Sequence, residues 1–155
     1  MDEMLGNHYF LARNYAKAAD LLENALRSDP KSKQMRRKII ICYAQTGQTD
    51  KAMKVFLSLI KEDIDFVINT DPVDDDCPCP ELVFQMENEH QEDQSSKDYF
   101  LILGMLWLYC DLYRSNDYFN QAAEMAPDNR MIHAVRALIN ARLQRESSRL
   151  KNNTN

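Results

Sequence analysis

The sequence predicts an all-α chain, an α-solenoid of antiparallel helix pairs, on three observations. Tyr9 and Tyr43, Ala18 and Ala52, and Leu22 and Phe56 each stand 34 residues apart, and self-similarity at such a period marks a repeat array. Apolar residues recur at the spacing of one helix face. Only 3 Gly and 5 Pro occur among 155 residues, too few to supply the turns of a sandwich or barrel. A chain of this length buries a core without disulfide staples. Its 45% apolar and 28% charged residues are ordinary for one globular domain, expected over residues 1–149.

The first unit covers approximately residues 1–32 and reads LGNHYFLARNYAKAADLLENALRSDP. Gly6 lets a neighbouring helix come close, Tyr9 offers packing surface, and Ala18 keeps the helix crossing tight. Asp29-Pro30 closes the unit, because the residue before a proline is pushed out of the α region. The second unit, 33–64, repeats the plan with Tyr43 and Ala52. Its inter-helix turn is QTGQ, with Gly47 suited to a helix C-cap, and Thr49 or Asp50 is expected to cap the next helix. Neither hairpin can bury its apolar face alone, so the units must stack.

Residues 65–96 break the period and are read as an altered unit or an insert. Helical spacing persists through Ile60, Ile64, Val67 and Ile68, so the second helix of unit two runs on to Asn69, or a short new helix starts near Asp65. TDPVDDDCPCPE contains three prolines and is not helical throughout. A short helix is expected from Pro80 or Glu81 to about His90, with Pro80 in its first turn, and then a polar loop in EHQEDQSSK. We favour a degenerate repeat over an insert, because a solenoid gains by keeping its stack continuous and a structureless loop of this length is unusual.

The period returns over 97–128. Leu103-Gly104 matches Leu5-Gly6, and Phe119, Ala122 and Pro127 match Leu22, Ala25 and Pro30. The two ends of this unit are out of step by one residue, which a shortened turn around residues 114–117 would explain. Asp128 or Asn129 is placed to cap a final helix, 129–149. Met131, Ile132, Val135, Leu138, Ile139 and Leu143 form its apolar stripe. His133, Arg136, Asn140, Gln144 and Arg145 give the polar outer face that a terminal element needs. Residues 150–155 read as a disordered tail.

The residues Leu5, Gly6, Tyr9, Ala18, Leu22, Ala25 and Pro30 resemble the tetratricopeptide repeat (TPR), more closely than unit two does, where Ile39 and Ile40 stand for the Leu-Gly pair and Ile64 for the closing Pro. That resemblance implies a right-handed superhelix whose first helices line a concave groove holding a peptide or helix of another protein. The groove positions it implies are Asn7, Phe10 and Leu11 in unit one, Gln34, Arg37, Lys38, Ile41 and Gln45 in unit two, and Met105, Leu108 and Tyr109 near the C-terminus. It also implies a non-catalytic adaptor, scaffold or chaperone-like role. The family branch that clamps a C-terminal carboxylate is disfavoured, because Asn7 fits its pattern but Glu3 and Lys38 stand where it needs Lys and Asn.

Charge refines the expected partner. Residues 62–93 hold 12 of the 24 acids and no Lys or Arg, leaving 12 acids against 19 bases elsewhere. KSKQMRRK opens unit two with Lys31, Lys33, Arg36, Arg37 and Lys38. Such a groove has an apolar floor and one basic wall, suited to an acidic or amphipathic segment. The same basic run also has a plainer reading, as a solvated face or as the counterpart of the acidic stretch. With a net charge of −5, no nucleic-acid partner is expected.

Other functions find less support. No G-x-S-x-G, phosphate loop or H-E-x-x-H occurs, and His8, His90 and His133 lie in different units, so no enzyme and no cofactor are expected. Cys77-Pro78-Cys79, with Asp74, Asp75, Asp76 and His90, raises an alternative reading as a thiol- or metal-responsive regulator. The single-residue spacing does not fit a structural zinc site, and the acidic run lacks the Gly and closing Glu of a calcium loop, so no metal is expected. Cys42 and Cys110 read as small core residues. The N-terminus lacks the basic and apolar regions of a signal peptide, and the most apolar run, 99–110, is too short to span a bilayer, so no membrane association and a cytoplasmic location are expected. A short stack leaves apolar ends, which makes a homodimer one expected assembly.

Overall fold

A computed structural model describes residues 1–89 and 96–153. Among these, the chain forms eight helices and no strand: α1 Asp2–Leu11, α2 Tyr15–Ser28, α3 Lys33–Gln45, α4 Thr49–Ile68, α5 Cys79–Glu89, α6 Lys97–Trp107, α7 Leu112–Met125 and α8 Arg130–Asn153. Helices α1 and α2, α3 and α4, and α6 and α7 pair as hairpins, and α2 packs on α3. The fold is an all-α helical-repeat solenoid.

The first two hairpins turn alike. Asn14 N–H donates to the Tyr9 carbonyl at 2.9 Å, and Gln48 N–H donates to the Tyr43 carbonyl at 2.9 Å. This six-to-one bond closes a helix end when the intervening residue is left-handed. Gly47 has φ 75° and Arg13, 34 residues earlier, has φ 62°, so Arg13 bears a conformation that glycine adopts at lower cost. Asn14 Oδ1 then caps α2 by accepting from Lys17 N–H. Unit two differs from expectation here: Gln48 occupies the cap position of α4 without a capping side-chain bond, and Thr49 is buried in the first turn. Gln48 stands where Asn14 stands in unit one, but its longer side chain donates to Thr46 Oγ1 at 2.9 Å instead of capping the helix.

The glycine pairs fit the repeat. A Cβ on Gly6 would sit 3.1 Å from Leu22, and a Cβ on Gly104 would sit 2.9 Å from the Phe119 ring. The lost residue in the α6–α7 hairpin lies at 108–111, not at 114–117. Asp111 ends that turn and caps α7 by accepting from Tyr113 and Arg114 N–H, which places 114–117 inside the helix. Cys42 is buried, but Cys110 is exposed, because α6 stops at Trp107 and leaves Cys110 in the turn.

Helix α4 contains an interruption at Asp63, whose φ of −160° is extended. Asp63 Oδ1 accepts from Phe66 N–H at 3.2 Å, so Asp63 caps a second short helical stretch. Both sequence expectations for this region therefore hold in part: helix continues to Ile68, and it restarts just before Asp65. Residues 65–89 supply that stretch, a loop and α5, and no stacked helix pair among the described residues. Helix α6 packs directly on α4 as well as on α5, so the stack passes from the second hairpin to the third. The expected loop beyond Glu89, with His90, lies outside the described residues until Ser96, whose Oγ caps α6 by accepting from Tyr99 N–H at 3.0 Å.

Asn129 Oδ1 caps α8 by accepting from Ile132 N–H at 3.0 Å. Ile132, Val135 and Ile139 are buried, and Met131, Leu138 and Leu143 are half-buried, where α8 lies on α7 and α4. The helix runs four residues past its expected end at 149. Arg142 anchors its distal part, bonding Asp65 at 2.7 Å and Glu146 at 2.8 Å. Residues 150–153 therefore belong to α8 and not to a disordered tail, while 154–155 lie outside the described residues. No helix among the described residues is long and apolar enough to cross a membrane.

Candidate protein-binding site

The expected groove residues converge, but many are covered. Lys38 Nζ donates to Asn7 Oδ1 at 3.1 Å, joining α3 to α1. The same ammonium lies 5.7 Å from the Phe10 ring. Tyr109 Oη donates to the Arg37 carbonyl at 2.6 Å, joining α3 to the turn after α6. Phe10, Arg37, Ile41, Met105, Leu108 and Tyr109 are nevertheless buried. Leu11 and Gln34 are exposed, and Asn7, Lys38 and Gln45 are half-buried.

The cover is the chain's own acidic stretch. Arg37 stacks over the Phe66 ring at 4.3 Å, donates to the Phe66 carbonyl at 3.2 Å and pairs with Asp75 at 3.0 Å. Gln45 meets Met86 Sδ at 3.6 Å. Two further residues of the basic wall are paired in the same way: Lys33 with Asp63 at 3.0 Å and Arg36 with Glu62 at 2.7 Å. Those contacts hold the Glu62 carboxyl below its ordinary range through Arg36, and the Asp63 carboxyl below its range through Lys33. The expected open basic wall is thus an internal ion-pair seam, because two oppositely charged stretches of one chain meet before any partner does. Phe66 and Met86 are not among the residues that the sequence singles out, and Asp75 enters there only beside Cys77 and Cys79; the signal for their place here is the charge division between 62–93 and the rest.

Farther along, Glu87 Oε1 accepts from Trp107 Nε1 at 2.8 Å and from Tyr118 Oη at 2.6 Å. Desolvation followed by this bond pushes the Tyr118 hydroxyl up. Burial likewise raises the Cys42 thiol to about 12.

One open part of this side is a cleft of about 360 Å³ between α1 and the loop before α5, and a second, of about 370 Å³, lies beside Gln34, Arg37 and Phe66. Phe10, Leu11 and Val73 give the apolar lining of the first, while Arg13 and Glu81, paired at 2.8 Å, stand at its polar edge. Cys77 also lines the first and is joined by a disulfide to Cys79. Among the described residues, no group of three or more His, Cys, Asp or Glu is placed to hold a metal ion.

A family model for the tetratricopeptide repeat matches residues 9–65. Over those residues the chain is similar to the tetratricopeptide repeat. No curated protein matches the chain. Tetratricopeptide repeats generally mediate protein–protein interaction and are typically non-catalytic. The matched residues run from Tyr9 to the restart of α4 and include both left-handed turns.

Proposed function

We propose that this chain is a non-catalytic protein-interaction module, an adaptor, scaffold or chaperone-like protein. It takes a peptide or amphipathic helix of a partner at the part of its first-helix face that its own acidic stretch leaves open. One observation supports this above the others: Leu11 is 57% exposed at the mouth of a cleft bordered by the matched repeats. An exposed leucine beside an apolar floor and a charged edge has the make-up of a recognition site for an apolar side chain flanked by polar contacts. The burial of Arg36 and Arg37 moves the expected contacts away from those two residues and toward Leu11, Asn7, Lys38 and Gln34.

A photo-crosslinking residue placed at Leu11, and separately at Ser58 on the exposed face of α4, tests this in lysate of the source cells. A discrete crosslinked polypeptide is expected from Leu11 and not from Ser58, and its yield should fall with unlabelled wild-type chain as competitor. Equal labelling from both positions, or no discrete product from Leu11, would refute the reading.

A further inference from the structure

We infer that Cys77–Cys79 is a thiol–disulfide exchange site, with Cys77 as the sulfur that a cysteinyl thiol attacks from the cleft between α1 and the acidic loop. The inference does not depend on the protein-binding reading.

Three features of the site support it. First, the disulfide joins residues at a sequence separation of 2. A cross-link that closes so short a loop removes little entropy from the unfolded chain, so its value as a staple is small. Second, the two sulfurs are unequally reachable. Cys77 lines the cleft and Cys79 does not, and Cys79 is 1% exposed against 9% for Cys77. Third, the local backbone favours charge on this sulfur pair. Cys79 is the first residue of α5, and a helix N-terminus favours thiolate. Its N–H also donates to Cys77 Sγ at 3.3 Å. At the cleft edge Arg13 is paired with Glu81, and Asp76 adds a negative charge, so access and not charge selects the attacked sulfur.

The exchange balances without another reagent. An incoming thiolate attacks Cys77 Sγ, forming a new sulfur–sulfur bond. The Cys77–Cys79 bond breaks, and its electron pair goes to Cys79 Sγ, which takes a proton from solvent. A second cysteinyl thiolate then attacks the sulfur of the bound one, releasing a small disulfide and leaving two protein thiols. Two external thiols are oxidised as the protein disulfide is reduced.

The test uses the oxidised full chain with glutathione as the probe, under native conditions, quenched in acid and mapped by mass spectrometry. Mixed disulfide is expected on Cys77 in about tenfold excess over Cys79, following sulfur access. Cys79→Ser treated with oxidised glutathione should keep a Cys77 adduct, and Cys77→Ser should form none at Cys79. Cys42, which is buried and whose thiol burial raises to about 12, should remain unmodified over the same interval, and the exposed Cys110 is replaced by Ser in every sample so that it does not compete. Adduct found equally on both sulfurs or chiefly on Cys79, or exchange seen only after denaturation, overturns the inference. Should either variant fail to fold by circular dichroism, the map of the chain that keeps both Cys77 and Cys79 alone decides.

Discussion

Arg37→Ala is the most informative single change, because it separates a guanidinium built into the fold from a free basic wall. Arg37 is 7% exposed. It stacks on Phe66, donates to the Phe66 carbonyl and to Thr70 Oγ1, and pairs with Asp75. Loss of a charged hydrogen bond costs about 1.5–3 kcal/mol, and a partly desolvated cation–π contact contributes about 0.5–2 kcal/mol. The Asp75 side chain is 29% exposed and rehydrates once its partner is gone, which limits the penalty of an unpaired charge. The sum is about 3 kcal/mol, or a fall in Tm of about 6–12 °C for a chain of this size. Lys38→Ala, the neighbouring change on the same helix, removes only the bond to Asn7 and a longer cation–π contact, for about 1 kcal/mol. Urea unfolding followed by circular dichroism reads both. Combining Arg37→Ala with Asp75→Ala should give a loss smaller than the sum of the singles, because the two share one interaction. If Arg37→Ala costs no more than Lys38→Ala, residues 66–75 do not sit on α3 and the account of the filled groove fails.

Two further outcomes follow from the geometry. Gly104→Ala places a methyl 2.9 Å from Phe119, which is fully buried and stacked on Phe56. Overpacking of about 1–3 kcal/mol should outweigh the gain in helix propensity of about 1 kcal/mol. Gly6→Ala meets Leu22 at 3.1 Å and Leu21 Cβ at 3.4 Å and should cost less than Gly104→Ala in the same thermal melt. A larger loss at Gly6 than at Gly104 would contradict the packing. In acid, Glu62, Asp63 and Asp71 have carboxyls held low by Arg36, by Lys33 and by the backbone N–H groups of Asp74 and Val73 respectively. The folded state then binds fewer protons than the unfolded one, so their contribution is complete above about pH 4.3 and is lost as pH falls through the folded values. Tm should be level from pH 7 to about 5 and drop below that, less steeply in Glu62→Gln/Asp63→Asn. An unchanged acid limb in that variant would show that the seam is not what titrates.

The sequence by itself determined the helices and their pairing in the first two hairpins, because the residues that encode them act locally. Gly47 accepts a left-handed turn and Pro30 stops a helix, each within one unit, while Tyr9 and Tyr43 sit at matching positions and Tyr43 reaches back to Glu23 of the first unit. The same locality explains the match between Gly6 against Leu22 and Gly104 against Phe119. Local signals erred by a turn at 108–111, where Asp111 and not residues 114–117 absorbs the register slip. They also erred at the end of α8, where a distant ion pair from Arg142 to Asp65 stabilises helix that the composition of the tail does not favour.

Only the tertiary structure decided where residues 62–89 lie. Their charge was legible, and so was the basic run that they could meet. Yet a carboxylate can pair with any reachable cation, so composition alone cannot choose among them. Folding brings Asp63, Asp75 and Phe66 onto α3, turns Arg37 from a contact for a partner into an internal support, and leaves the cleft beside Leu11 and Cys77 open. That choice is made by contacts between residues far apart in sequence, and their energies depend on distance and burial rather than on order along the chain.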